Sequence, residues 1–135
     1  MKKVISNEFG FQQKKLFSVE FPDCFGLNNC LVSKCKTSKY LHDKWANIVV
    51  EFADTVTPSV AQGLFKICDN KERESNDVLF TVILNLKDLT GEIVRKWEIK
   101  IKKIVCIDFG DLDTENDEII RPRLSLQPYN VKLLF

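Results

Sequence analysis

Histidine is almost missing from this sequence of 135 residues, with His42 the one example, and methionine occurs once, at Met1. Glycine and proline are sparse, 5 and 4 residues, which excludes collagen-like and low-complexity chains. Neither sign of charge prevails. The 20 Lys+Arg against 19 Asp+Glu give a net charge of +1, which excludes a globally basic nucleic-acid binder and an acidic disordered chain. No apolar run approaches the ~18 residues of a membrane span. The basic start, Met1-Lys2-Lys3, is followed by no apolar segment, so a secretory signal is not expected.

What is present is apolar matter for one core: 44% of the residues are hydrophobic, which suits a single domain over 1–135. Residues 1–13 are polar with scattered aromatics and read as an N-terminal arm. Cys24, Cys30, Cys35, Cys68 and Cys106 make an odd number, which points to reduced thiols. The gaps among the first three are not the CxxC pairs of zinc ribbons, and a fourth ligand would have to be His42, Cys68 or Cys106. Buried small hydrophobes are the simpler reading, above all for Cys106 in the apolar stretch 104–107.

Hydrophobic periodicity then divides the chain. Phe17, Val19 and Phe21 alternate within 16–21 and predict a strand; 29–36 is a weaker strand; 36–44 is polar, basic and read as an exposed loop. Ile48, Val50 and Phe52 alternate within 47–52. The period changes at 54–58, where Thr57 can cap a helix and Pro58 suits its first position. Val60, Leu64 and Cys68, with Ala61 and Phe65 beside them, make an apolar stripe on a helix over about 58–68. After a charged loop at 69–77, the apolar run 78–86 reads as a central strand and 87–91 as a turn. Residues 92–107 alternate again, with Ile93, Trp97, Ile99 and Ile101 on one face and Glu98, Lys100 and Lys102 on the other. Unbroken, that strand would run roughly 50 Å, and the parity blurs at Lys102-Lys103, so a bulge is expected there. An acidic loop, 108–118, precedes a last strand, 119–135, in which Leu124 and Leu126 share a face and the parity shifts after Pro128 to Val131, Leu133 and Phe135. The expected order is β-β-β-α-β-β-β: a mainly β, antiparallel sandwich or barrel with one helix flanking or plugging it.

Catalytic and ligand-binding patterns are weak. His42 has no accompanying nucleophile signature. Asp108, Asp111, Asp113, Asp117 and Glu118 do not fit the spacing of an EF-hand loop and read as a solvated turn. Gly91 and Gly110 are single turn glycines, not a phosphate loop. Lys100, Lys102 and Lys103 could line a nucleic-acid-binding face, but Trp97 has the parity of the core residues.

Three stretches, in order, resemble the tail tube proteins of contractile-tailed bacteriophages. The segment 14–21 (KKLFSVEF) is similar to the opening strand of that family. The segment 44–54 (KWANIVVEFAD) with 58–62 (PSVAQ) resembles its strand–loop–helix unit, in which a Trp precedes the strand and a Pro-Ser pair opens the helix. The segments 89–97 (LTGEIVRKW), 107–113 (IDFGDLD) and 124–129 (LSLQPY) resemble its closing hairpin, acidic loop and last strand. Together they span most of 14–135.

The resemblance implies a β-sandwich or barrel whose subunits join edge to edge into hexameric rings, stacked around a lumen through which DNA passes without sequence-specific contact. It implies a structural protein of the virion tail, made in the cytoplasm of the host bacterium, with other tail tube, sheath or baseplate proteins as partners. No enzyme activity, cofactor, metal or membrane contact is expected. A baseplate tube initiator is the neighbouring alternative; a monomeric β-barrel that binds nucleic acid or protein is the alternative of a different class. If rings form, the residues expected at inter-subunit or inter-ring contacts are Lys36, Lys39, Tyr40, His42 and Lys44 in the 36–44 loop, Asp88 and Thr90 in the 87–92 turn, and Asp111 and Asp113 in the acidic loop.

Overall fold

The computed structural model describes residues 16–54, 59–70, 79–115 and 119–135. Eight strands and one α-helix are found there: β1 (Phe17–Glu20), β2 (Leu31–Lys36), β3 (Tyr40–Leu41), β4 (Lys44–Trp45), β5 (Ile48–Ala53), α1 (Val60–Asn70), β6 (Phe80–Lys87), β7 (Ile93–Asp108) and β8 (Arg123–Leu133). Six strands form one sheet in the order β1-β6-β7-β8-β5-β2, antiparallel at every pairing. The sheet curls into a nearly closed barrel, with β1 and β2 facing each other across the remaining gap.

The inner face follows from period-two alternation. Val19, Val50, Phe52, Val82, Leu84, Ile99, Ile101, Leu124 and Leu126 all point inward and form one buried cluster. One end of the barrel is plugged. Between β1 and β2 a single 3-10 turn, Asp23–Phe25, drives Phe25 and Leu27 into the core. Asn28 fixes this detour: its Oδ1 accepts from the Phe21 N–H at 2.7 Å and its Nδ2 donates to the Phe21 carbonyl at 2.9 Å. The Phe25 ring meets Phe80 edge-on at 5.2 Å between centroids.

Helix α1 lies over the plug. It begins at Val60, whose N–H donates to Asp54 Oδ1 at 3.1 Å, two residues later than expected. Thr57 and Pro58, proposed as cap and first residue, fall outside the described residues, as does the 1–13 arm. The buried stripe is Val60, Gly63, Leu64 and Ile67, whereas Ala61 and Phe65 face out and Cys68 is only half-buried. The expected stripe is therefore turned by part of a residue step: a spacing of 3.6 admits both i+7 and i+8, and Ile67 occupies the inward position.

Two further expectations change. The 36–44 loop contains a small hairpin, β3 paired with β4, outside the main sheet. Its two turn residues, His42 and Asp43, have φ of 51° and 63°, the left-handed pair of a type I′ turn. Cys106 is exposed rather than a core thiol. The cause is the broken register of β7 against β8: shifts occur at Lys100/Ile101, Ile101/Lys103 and Ile104/Cys106, so simple parity no longer assigns faces beyond Ile101. The bulge expected at Lys102-Lys103 is among them. Pro128, which has no N–H to give a ladder, sits opposite Ile101 at the same break. The chain end is tied to the sheet by Leu134 N–H to the Lys96 carbonyl, 2.7 Å, and Lys96 N–H to the Phe135 carbonyl, 3.0 Å.

Candidate assembly surfaces

The residues expected at contacts fall at the two ends of the curled sheet. β5 sets the frame, because Val49 at its start pairs with Lys36 and Ala53 at its end pairs with Leu31. The β3–β4 hairpin lies beyond the start of β5, against β8. Lys36, Lys39, Tyr40, His42 and Lys44 thus gather at one end, all exposed. Tyr40 stacks at 4.9 Å on Trp45, so the hairpin carries its own small aromatic pair. The β6–β7 turn, with Asp88 and Thr90, lies toward this same end, where Trp97 pairs with Leu133. Asp88 Oδ1 accepts from Thr90 Oγ1 at 2.6 Å, Thr90 N–H at 2.9 Å and Glu92 N–H at 3.0 Å. These bonds, the Thr90 hydroxyl first, hold the Asp88 carboxyl below its usual range.

The loop between β7 and β8 lies at the other end. Asp54 N–H, just past β5, donates to the Ile120 carbonyl at 3.0 Å, and Asp108 pairs with Arg123, which itself pairs with Glu51 near the far end of β5. Asp111 and Asp113 border an open depression of about 560 Å³ that also includes Arg121 and Arg123. Those guanidinium groups already face a carboxylate, with Arg123 Nε 3.2 Å and Arg121 Nη1 4.0 Å from Glu51. Among the described residues, no three His, Cys, Asp or Glu side chains come together as a metal would need. The structure thus brings Lys36 to Lys44 and the Asp88 turn to one end, and sets Asp111 and Asp113 apart from them.

At the lysine end the gap between β1 and β2 opens as a cleft of about 720 Å³, with Phe17, Leu84, Leu86 and Trp97 on one side and Ser33 to Thr37 and Lys39 on the other. A second opening of about 400 Å³, beneath the hairpin, shares Thr37, Leu84 and Trp97 with it. The outward edges of β1 and β2 pair with no strand among the described residues. Unpaired edges are the usual sites of strand addition from another chain. Cys35, on β2 and packed against the core, has its thiol pushed up to about 11 by burial.

The nucleic-acid alternative finds less support. Trp97 lines the cleft, and Lys100, three residues on in the alternating part of β7, lies on the opposite face from it. Phe109 is occupied by Phe65 of α1, ring to ring at 6.4 Å. Residues missed by sequence reasoning include Lys34, whose strand gave a weak signal, and Leu112, which is 84% exposed. A lone leucine inside an acidic run was the available sign of the latter.

No protein-family model matches the sequence, and no curated protein matches it in sequence. Solved structures match it in fold. A chain of the sheath–tube complex of an extracellular contractile injection system, PVC, in its extended state aligns with a TM-score of 0.72 and 11% identity, covering 98% of this chain and 97% of that one. The chain shares the fold of that component. The PVC sheath/tube terminator aligns with a TM-score of 0.71 and 12% identity over 91% of this chain and 96% of that one. The tube-terminating cap of the anti-feeding prophage aligns at 0.66 and 11% identity, over 98% of both chains. The tube-like fold expected from the sequence resemblance is the fold found, and these three matches cover 91–98% of this chain and 96–98% of the matched chains.

Proposed function

We propose that this chain is a structural subunit of a contractile tail or injection particle, which self-assembles into a ring that stacks into a tube or closes one. The observation that carries this reading is the end-to-end likeness to a chain of a sheath–tube complex, with a TM-score of 0.72 over 98% of the chain. Two features of the molecule support it. The barrel is left open by one gap with unpaired edges on β1 and β2, which a neighbouring subunit can use. The exposed contact candidates lie at opposite ends, as repeated stacking requires. Ring closure removes strand edges, and many modest contacts add up through repetition.

In this reading the ring is hexameric, its lumen is a conduit for DNA touched without sequence preference, and its neighbours are other tube, sheath or baseplate proteins of a bacteriophage-type tail. Assembly and not catalysis is its work. The likeness to a terminator and a cap makes a place at the end of a tube the nearest variant of the same function, with a baseplate ring as the neighbouring one.

Negative-stain electron microscopy of the purified chain, beside its mass by light scattering, tests the proposal. Rings or stacked rings are expected. A strictly monomeric particle at millimolar concentration that binds single-stranded DNA, with affinity falling steeply in salt, would overturn it in favour of a binding module.

A further inference from the structure

The two ends of the sheet are complementary as well as different. At one, the cleft between β1 and β2 has an apolar floor that includes Leu84 and Trp97, with Lys34 and Lys36 of β2 and Lys39 just after it on the other side. At the other, the β7–β8 loop holds out Leu112, 84% exposed, between Asp111 and Asp113. An apolar knob flanked by carboxylates matches an apolar socket flanked by ammonium groups.

The knob is also held in shape. Asp108 Oδ1 accepts from Gly110 N–H at 2.9 Å, and Asp113 Oδ1 accepts from Glu115 N–H at 3.0 Å. Gly110 has φ +97°, and a Cβ there would lie 2.6 Å from Ile120 Cγ2, so the loop is built close against the segment that leads into β8. A preformed projection loses little freedom on docking. Its own cleft is out of reach: β7, 16 residues long, runs between the two ends.

We propose that Leu112, with Asp111 and Asp113, seats in the lysine-flanked cleft of the next copy and joins subunits head to tail. The inference rests on the self-assembly reading above and names its longitudinal contact. Such a contact uses two different patches on each subunit, so it repeats without closing and fixes the direction of stacking. Its charged rim makes it weaken with salt, because exposed charges are screened beyond about 8 Å at physiological ionic strength.

The test mixes isotope-labelled and unlabelled full-length protein and treats it with a carbodiimide, which links a carboxylate to an ammonium group only in contact. Mass spectrometry is expected to find mixed-isotope links between the Asp111 or Asp113 peptide and Lys34, Lys36 or Lys39. Leu112→Asp should cut their yield roughly tenfold or more. Asp111→Lys/Asp113→Lys and Lys36→Glu/Lys39→Glu should each stop self-association along this axis, and mixing the two variants should restore it. All four sites are exposed, and circular dichroism checks that each variant is folded. Rings or tubes that lack these links would overturn the pairing and leave the assembly reading standing. Links found in open chains without rings would uphold the pairing and overturn the ring. No association at all, in the wild type and in the mixed variants, would overturn both.

Discussion

Replacing Gly63 by alanine separates two effects of opposite sign. In an exposed helix the change stabilises, since glycine costs about 1 kcal/mol relative to alanine in a helix interior. Gly63 instead faces the plug. A Cβ there would stand 2.4 Å from Leu27 Cδ2, 2.8 Å from Leu27 Cγ and 2.8 Å from the Phe25 carbonyl oxygen. Ordinary contact between carbons is about 3.5–4.0 Å. Leu27 is only 1% exposed, so its side chain has no free space to swing into. The Phe25 oxygen belongs to backbone held by the 3-10 turn, where Gly26 N–H donates to the Asp23 carbonyl at 3.0 Å. Overpacking of this kind costs typically about 1–3 kcal/mol, and contact with backbone falls at the upper end. The expected net loss is about 1–2 kcal/mol, a drop of roughly 3–10 °C in Tm for a domain of this size. Thermal and urea unfolding of Gly63→Ala should show it, with Gln62→Ala on the exposed side of the same turn as the control that changes little. An unchanged or raised Tm for Gly63→Ala would refute the close approach of α1 to the plug.

Other outcomes follow from burial. Leu126→Ala, at a side chain with no exposed surface between β5 and β7, should cost about 2–5 kcal/mol in urea unfolding, and a loss under 1 kcal/mol would contradict its central place. Cys24 and Cys106 are exposed and should react first with iodoacetamide at pH 8, while Cys35, raised from an ordinary 9.0 to about 11, should carry about a hundredfold less thiolate and react correspondingly slowly. The same shift has a stability sign. The fold favours the protonated Cys35 thiol, so this contribution is complete below pH 9 and is lost as pH rises toward 11; removing Cys35 should flatten that alkaline decline.

The order of the main strands, and the inward residues of most of them, were legible in the sequence. Ile48, Val50 and Phe52, or Leu124 and Leu126, declare their face because side chains alternate strictly along a strand and only one face is buried. The long β7 and its break were legible for the same reason, as a parity that fails at Lys102-Lys103. Local chemistry also marked the turn at Asp88 and the place of the helix. What the sequence could not decide was set by contacts distant along the chain. Whether Ile67 or Cys68 completes the helix stripe depends on where Leu27 and Phe25 lie, and the 3-10 detour that brings them there has no periodic signal. Cys106 looked apolar by its neighbours, but three register shifts against β8 turned it to solvent. The contact residues were read as polar and loop-borne. Only the curling of the sheet divides them into a lysine end with an apolar cleft and an acidic end with an exposed leucine. That division depends on β5 running antiparallel to both β2 and β8, with Ile48 pairing with Leu126 about 78 positions away, which no local pattern encodes.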